Sequence, residues 1–235
     1  MLSGAVFDMD GLMFDTERVY RDTWVRLADL YGVPHNPEFP KAVCGTSGSH
    51  MVEVIRSYYP QVDAQRFCDD CLRLVDESLQ EEVPVKKGLY EILEGMKRRG
   101  IRMAVASSSL PDLIRRNLNK AGVYDYFDAV ISGTEVEHGK PAPDIFLLAA
   151  ERIGLPPSQC YVFEDGRNGI YAGVAAGCRT IMIPDLTEPD EEICRICYGI
   201  YEDLSTAFHA LESNGFTCFP RSLHSQGCVA RRIAV

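Results

Sequence analysis

Apolar residues fall along this chain in two rhythms. Residues 4–8 (GAVFD) form a short apolar run that closes on an acid, the pattern of a buried parallel strand whose carboxyl end opens onto a site. From Thr16 to about Glu82 the spacing turns helical. Val19, Trp24, Leu27, Ala28 and Tyr31, then Val52, Ile55 and Tyr59, then Phe67, Leu72, Val75 and Leu79 mark successive apolar faces. Breaker-rich stretches at 32–40, 44–49 and 59–63 divide the segment into separate helices. Beyond VPVKKG (83–88) helices and strands alternate: helix 89–99, strand 101–106, a helix after Pro111, strand 129–132, helix 144–152, strand 160–164, helix 169–176 and strand 179–183. This alternation predicts an α/β fold, a Rossmann-like doubly wound parallel sheet, with an all-helical cap inserted after the first strand. The boundaries read as a core of residues 1–15 and 83–213, a cap of 16–82 and an irregular tail of 214–235 that follows neither period.

Composition narrows the partners. The 235 residues are 46% hydrophobic, ample for a buried core, and 24 Lys and Arg against 34 Asp and Glu leave a net charge of -10. Such a field repels polyanions, so no nucleic-acid partner is expected, while a small anion remains accessible through a local basic site. The apolar stretch in MLSGAVFDMDG is too short for a signal segment and carries two aspartates. No stretch approaches the ~20 apolar residues of a membrane span, so no membrane partner is expected either. Nine cysteines, an odd number, fit reduced thiols and a cytoplasmic location. Cys68 and Cys71, like Cys194 and Cys197, form C-x-x-C pairs that read as packed small hydrophobes rather than as zinc or redox sites. Nothing resembles a coiled-coil seam, which points to a monomer or weak homo-oligomer.

The strand ends carry the chemistry. Asp8 and Asp10 follow the first strand, Ser107 the second, Lys140 lies in a loop beyond the third, and Glu164 and Asp165 close the fourth. Singly, each has a structural reading as a turn, a cap or a solvated charge. Jointly, they crowd carboxylates at the sheet edge where ligands bind, at a repulsive cost that a divalent cation removes. Mg²⁺ suits such a site, since it takes a few carboxylates and completes its shell with water and phosphate. A Ser107 hydroxyl and the Lys140 ammonium suit phosphoryl oxygens. The set is built for phosphoryl transfer to or from a small phosphorylated metabolite.

These segments also resemble a known family. DMDGLMFDTE (8–17), ASSS (106–109), GKPAPDIF (139–146) and FEDGRNGIYAGVAAG (163–177) are similar to the four ordered motifs of the haloacid dehalogenase-like superfamily, and most of all to its β-phosphoglucomutase and sugar-phosphate phosphatase branch. The resemblance covers residues 4–210 and implies a helical cap where the insert lies. It implies Asp8 as nucleophile, Asp10 as general acid and base, and Thr16 as a hydroxyl that positions Asp10. Ser107, Ser108 and Lys140 then bind phosphate, and Asp8, Asp10, Glu164 and Asp165 hold Mg²⁺, Asp10 through its carbonyl. Specificity is assigned to cap residues Tyr20, Thr46, Ser47 and His50.

Three chemistries of this family are separable by residue. A dehalogenase needs no metal, so the retention of Asp10, Glu164 and Asp165 argues against it. A mutase must grip a second phosphate, yet Tyr20, Gly48 and Leu110 stand where the mutase resemblance calls for histidine, arginine and lysine. Lys41 and His50 are the nearby substitutes that keep a mutase as the alternative. Gly166 replaces the serine or threonine frequent after the metal-ligand pair. A non-catalytic binding protein is disfavoured because both Asp8 and Lys140 are kept.

Overall fold

The computed structural model describes residues 3–43, 46 and 48–215. Ser47, Cys44 and Gly45 of the 44–50 loop, and the tail from residue 216 onward, lie outside the described residues. The chain forms two compact units, one of residues Met1–Met13 with Lys86–Val235 and one of Phe14–Val85.

The first unit opens with β1 (Gly4–Phe7). The second is the helical insert of α1 (Thr16–Tyr31), α2 (Phe39–Val43), α3 (Gly48–Tyr58) and α4 (Ala64–Glu81). Its entering and leaving segments are stitched together by an antiparallel bridge between Phe14 and Val85 and by the Asp15 N–H donating to the Pro84 carbonyl at 2.8 Å. The apolar faces read from the sequence meet in an aromatic core: Trp24 stacks parallel to Phe67 with centroids 6.0 Å apart and meets the edge of Phe39 at 5.1 Å. Asp63 caps α4 by accepting from the Gln65 and Arg66 N–H groups. Cys68 and Cys71 are buried in this core among Met51, Leu74 and Val75.

The first unit resumes with α5 (Leu89–Arg98), β2 (Arg102–Ser107), α6 (Pro111–Lys120), β3 (Ala129–Ser132), α7 (Asp144–Arg152), β4 (Cys160–Glu164), α8 (Arg167–Ala175), β5 (Arg179–Met182), α9 (Glu191–Ile196), β6 (Gly199–Ile200) and α10 (Leu204–Ser213). The strands pair in parallel in the order β3-β2-β1-β4-β5-β6. That is the doubly wound sheet the alternation predicts, and the strand order reverses between β1 and β4, the crevice where such folds place ligands. The expected helix at 169–176 starts two residues earlier, at Arg167, and β6 is a two-residue strand with no signal in the pattern.

Alternation along the strands places one set of side chains on each face. Val6, Ala104, Ala106, Ile131 and Val162 pack with Ile145, Phe146, Ala149 and Ala150 of α7 and Ala172 of α8. On the other face Phe7 stacks on its register partner Phe163, with centroids 4.8 Å apart and planes 10° apart. The central strands are buried throughout, so the residues that follow them start from a rigid platform.

Candidate active site

Asp8 follows β1 directly, and its N–H donates to the Phe163 carbonyl at 3.0 Å, which extends the ladder one residue and fixes the side chain at the sheet edge. Its carboxylate is 10% exposed, and Oδ1 accepts from Lys140 Nζ at 2.5 Å. Lys140 is as deeply placed, at 8% exposure, and spends its other two protons on Glu164 Oε1 at 2.7 Å and the Ala106 carbonyl at 3.1 Å. Its ammonium also lies 5.0 Å from the centre of the Phe146 ring. One lysine therefore joins the ends of β1, β2 and β4.

Glu164 is held on both oxygens. While Oε1 faces Lys140, Oε2 accepts the N–H groups of Asp165 and Gly166, each at 3.0 Å, at the start of α8. Gly166 is the N-cap and brings no side chain to cap α8. Gly169 in the first turn of α8 completes the seat: a Cβ at that position would stand 1.8 Å from Glu164 Oε1. Asp165 approaches from the other side. A Cβ on Gly11 would lie 2.4 Å from Asp165 Oδ2, and Gly11 also has φ +83°, so glycine is required there twice over.

Carboxylate oxygens of Asp8, Glu164 and Asp165 lie within 4.8 Å of one another. Burial pushes the Asp8 carboxyl up to about 8, against the lowering effect of Lys140 and with the charges of Glu164 and Asp10 adding to the rise. Asp165 is held well above the ordinary carboxylate range by burial first, then by Glu164 and Asp8. Burial opposes the charge on Lys140, but the two carboxylates raise its pKa above the ordinary value, so it remains an ammonium. One cation for two buried carboxylates and a half-buried third leaves negative charge uncompensated, and the oxygen-only donor set fits a hard divalent cation.

Asp10 turns toward the loop after β2. It accepts from Ser109 Oγ at 2.7 Å and more weakly from Ser107 Oγ at 3.4 Å. Ser107 is buried and Ser108 is exposed; of the two serines read as phosphate ligands only Ser107 meets Asp10, and Ser109, which that reading did not include, meets it as well. Among three consecutive serines nothing in the residue types marks the third; only the loop geometry does. Thr16 is buried at the first position of α1, and Tyr20 is half-buried with its ring 6.3 Å from Trp24. Thr46 donates its hydroxyl to the Val43 carbonyl at 2.6 Å, and His50 is exposed 3.9 Å from Glu53. These four belong to the helical unit; Leu110, in the first unit, is exposed at the N-cap of α6.

None of the six described cysteines, Cys194 and Cys197 included, is in a disulfide, and no helix among the described residues is long and apolar enough to cross a membrane.

Comparison with known proteins places this geometry in a family. The model for haloacid dehalogenase-like hydrolases matches residues 2–177. A phosphorylated carbohydrates phosphatase of Thermotoga maritima is 30% identical over 185 residues, spanning 77% of this chain and 84% of the relative. A fructose-1-phosphate phosphatase of Escherichia coli is 34% identical over 176 residues, spanning 74% and 93%. In structure, a β-phosphoglucomutase of Clostridium difficile superposes with a TM-score of 0.70 at 21% identity, covering 92% of this chain and 99% of that one. At that identity the likeness concerns the fold.

Proposed function

This chain belongs to the haloacid dehalogenase-like hydrolases, and we propose that it is a Mg²⁺-dependent phosphatase of a small phosphorylated metabolite, a sugar phosphate by preference, that works through an aspartyl-phosphate on Asp8. The observation that carries this reading is the buried Asp8, one oxygen fixed by Lys140 and the other free of hydrogen bonds among the described residues, beside Glu164 and Asp165. A carboxylate held by one oxygen presents the other for attack.

Asp8 Oδ2 attacks phosphorus as the bond from phosphorus to the ester oxygen breaks, and Asp10 gives its proton to the leaving alcohol. Asp10, now a carboxylate, then takes a proton from water as the water oxygen attacks phosphorus. The bond to Asp8 breaks, which returns inorganic phosphate and the free Asp8 carboxylate. Ser107 holds one phosphoryl oxygen and Lys140 another, exchanging its bond to the Ala106 carbonyl for it, with Ser108 or Ser109 completing the loop. Asp8, Asp165 and the Asp10 carbonyl would hold Mg²⁺, with Glu164 acting through water because both its oxygens are engaged. The cation would offset the carboxylate charges and draw electron density from the phosphoryl group. Thr16 orients Asp10, and Tyr20, Thr46, Ser47 and His50 sort leaving groups. A reducing cytoplasm suits cysteines that form no disulfide, and the substrate is the only partner this reading requires of a monomer or weak homo-oligomer.

Hydrolysis is favoured over the mutase alternative because Tyr20, Gly48 and Leu110 offer no cation to a second phosphate. The names of the Thermotoga and Escherichia relatives support the same choice. The test is product analysis with hexose monophosphates and Mg²⁺, a trace of sugar bisphosphate added to prime any mutase. Free phosphate is expected to dominate, chelator to stop its release, and Asp8→Asn to reduce it by several orders of magnitude. Bisphosphate-stimulated interconversion with little free phosphate would overturn the phosphatase reading and leave Lys41 and His50 as the second grip.

A further inference from the structure

A second ion pair beside the carboxylates has no part in the steps above. Asp185 stands three residues beyond the end of β5, and the N–H of the intervening Ile183 donates to the Glu164 carbonyl at 2.8 Å. This extension therefore runs alongside the Glu164–Asp165 corner. Asp185 Oδ1 accepts from Lys86 Nζ at 2.7 Å, and the two side chains are 15% and 25% exposed. Lys86 is itself fixed by its N–H donating to the Met13 carbonyl at 2.9 Å, two residues past Gly11. The other oxygen, Asp185 Oδ2, is buried and has no hydrogen-bond partner among the described residues. A buried acceptor of this kind is normally satisfied, by protein or by ordered water. Asp185 also contributes to the field that holds Asp165 above the ordinary range, after burial, Glu164 and Asp8.

We infer that Asp185 is a positioning residue for the cation of the active site: Lys86 fixes one oxygen so that the other accepts a hydrogen bond from water in the cation's shell. The inference rests on the metal-assisted reading of Asp8 and Asp165. Mg²⁺ gives up its water reluctantly, so acceptors that hold those waters add to its affinity without touching the ion. A mere brace between Lys86 and the β5 loop would need only the oxygen that Lys86 already occupies.

Asp185→Asn separates the two roles. The amide oxygen still accepts from Lys86, while an NH₂ donor takes the place of Oδ2 and has nothing to offer a water that must donate. Metal-free full-length protein is titrated calorimetrically with Mg²⁺ and, separately, with Ca²⁺, in the absence of substrate. Mg²⁺ affinity should fall about 10- to 100-fold. The fall for Ca²⁺ should be clearly smaller, since its loose, ligand-rich shell depends less on ordered waters. Equal losses for these equally charged ions would show a field effect only and overturn the inference. So would unchanged Mg²⁺ affinity with a lowered melting temperature. Should Asp185→Asn fold poorly, Asp185→Ser, smaller and uncharged, is held to the same two comparisons. Asp165→Asn serves as the reference. If it binds Mg²⁺ as tightly as the parent, the cation site itself is misplaced, which overturns both readings, whereas loss there with no change in the Asp185 variants overturns this one alone.

Discussion

Gly169→Ala sets two physical effects against each other. Gly169 is the third residue of α8, and helix propensity alone says that alanine stabilises an interior helical position by ~1 kcal/mol. The structure predicts the opposite sign, because the new Cβ would stand 1.8 Å from Glu164 Oε1 and 1.9 Å from its Cδ. Glu164 cannot withdraw freely: Lys140 holds Oε1 at 2.7 Å and two backbone N–H groups hold Oε2 at 3.0 Å. Hydrogen bonds to a charged group contribute roughly 1.5–3 kcal/mol each, and overpacking costs about 1–3 kcal/mol where nothing can shift. With one such bond lost, and propensity offsetting ~1 kcal/mol, the net destabilisation is about 0.5–2 kcal/mol. For a domain of this size each kcal/mol moves the midpoint by roughly 2–4 °C, so Tm should fall by about 1–8 °C. The assay is parallel calorimetric melting of parent and variant without metal, followed by Mg²⁺ titration, where affinity should also drop. A midpoint unchanged or raised by the few degrees that propensity supplies would refute the close seating of Glu164.

Two further outcomes follow from the charges of the first unit. Asp203 caps α10, accepting from the Thr206 N–H at 2.7 Å, and pairs with Lys87 at 2.6 Å; Asp203→Ala should cost about 0.5–2 kcal/mol, read by urea unfolding at pH 7. Although burial pushes the other way, Lys87 and Thr206 hold the Asp203 carboxyl below its ordinary value. Its contribution is therefore present above the unfolded pKa of about 4 and fades as pH falls through the lower native value, so parent and variant should converge in acid. The second outcome concerns metal binding. Since burial raises the metal-free Asp8 carboxyl to about 8, protons compete with the cation, and Mg²⁺ affinity measured without substrate should climb with pH and level off above about 8. A flat profile would place the cation away from Asp8.

Legibility in the sequence followed the range of the interactions. Buried parallel strands announce themselves as apolar runs such as GAVF and CYVFE, and a doubly wound parallel sheet follows from the β-α alternation, so the fold class was readable while the strand order was not. The strand-end position of Asp8, Ser107, Glu164 and Asp165 was readable for the same reason, whereas their contacts were not. Lys140 reaches Asp8 across 132 residues and Lys86 reaches Asp185 across 99, separations over which no local pattern operates. Register also lies beyond composition: in the run of Ser107, Ser108 and Ser109 the chemistry is identical and only the turn decides that Ser109 meets Asp10.

The start of α8 shows why a site can hide a structural rule. The pattern places the helix start at Gly169, yet the helix begins at Arg167, where Glu164 Oε2 accepts the N–H of the N-cap Gly166 and of Asp165 before it. Gly169, read alone, is a mild defect in that helix. Beside Glu164 it is a clearance of side-chain width, without which the carboxylate could not at once face Lys140 and close the helix end. The same residue thus weakens the local propensity and makes room for the charge on which the proposed chemistry depends, a conflict that propensity cannot reveal and the partner's position resolves.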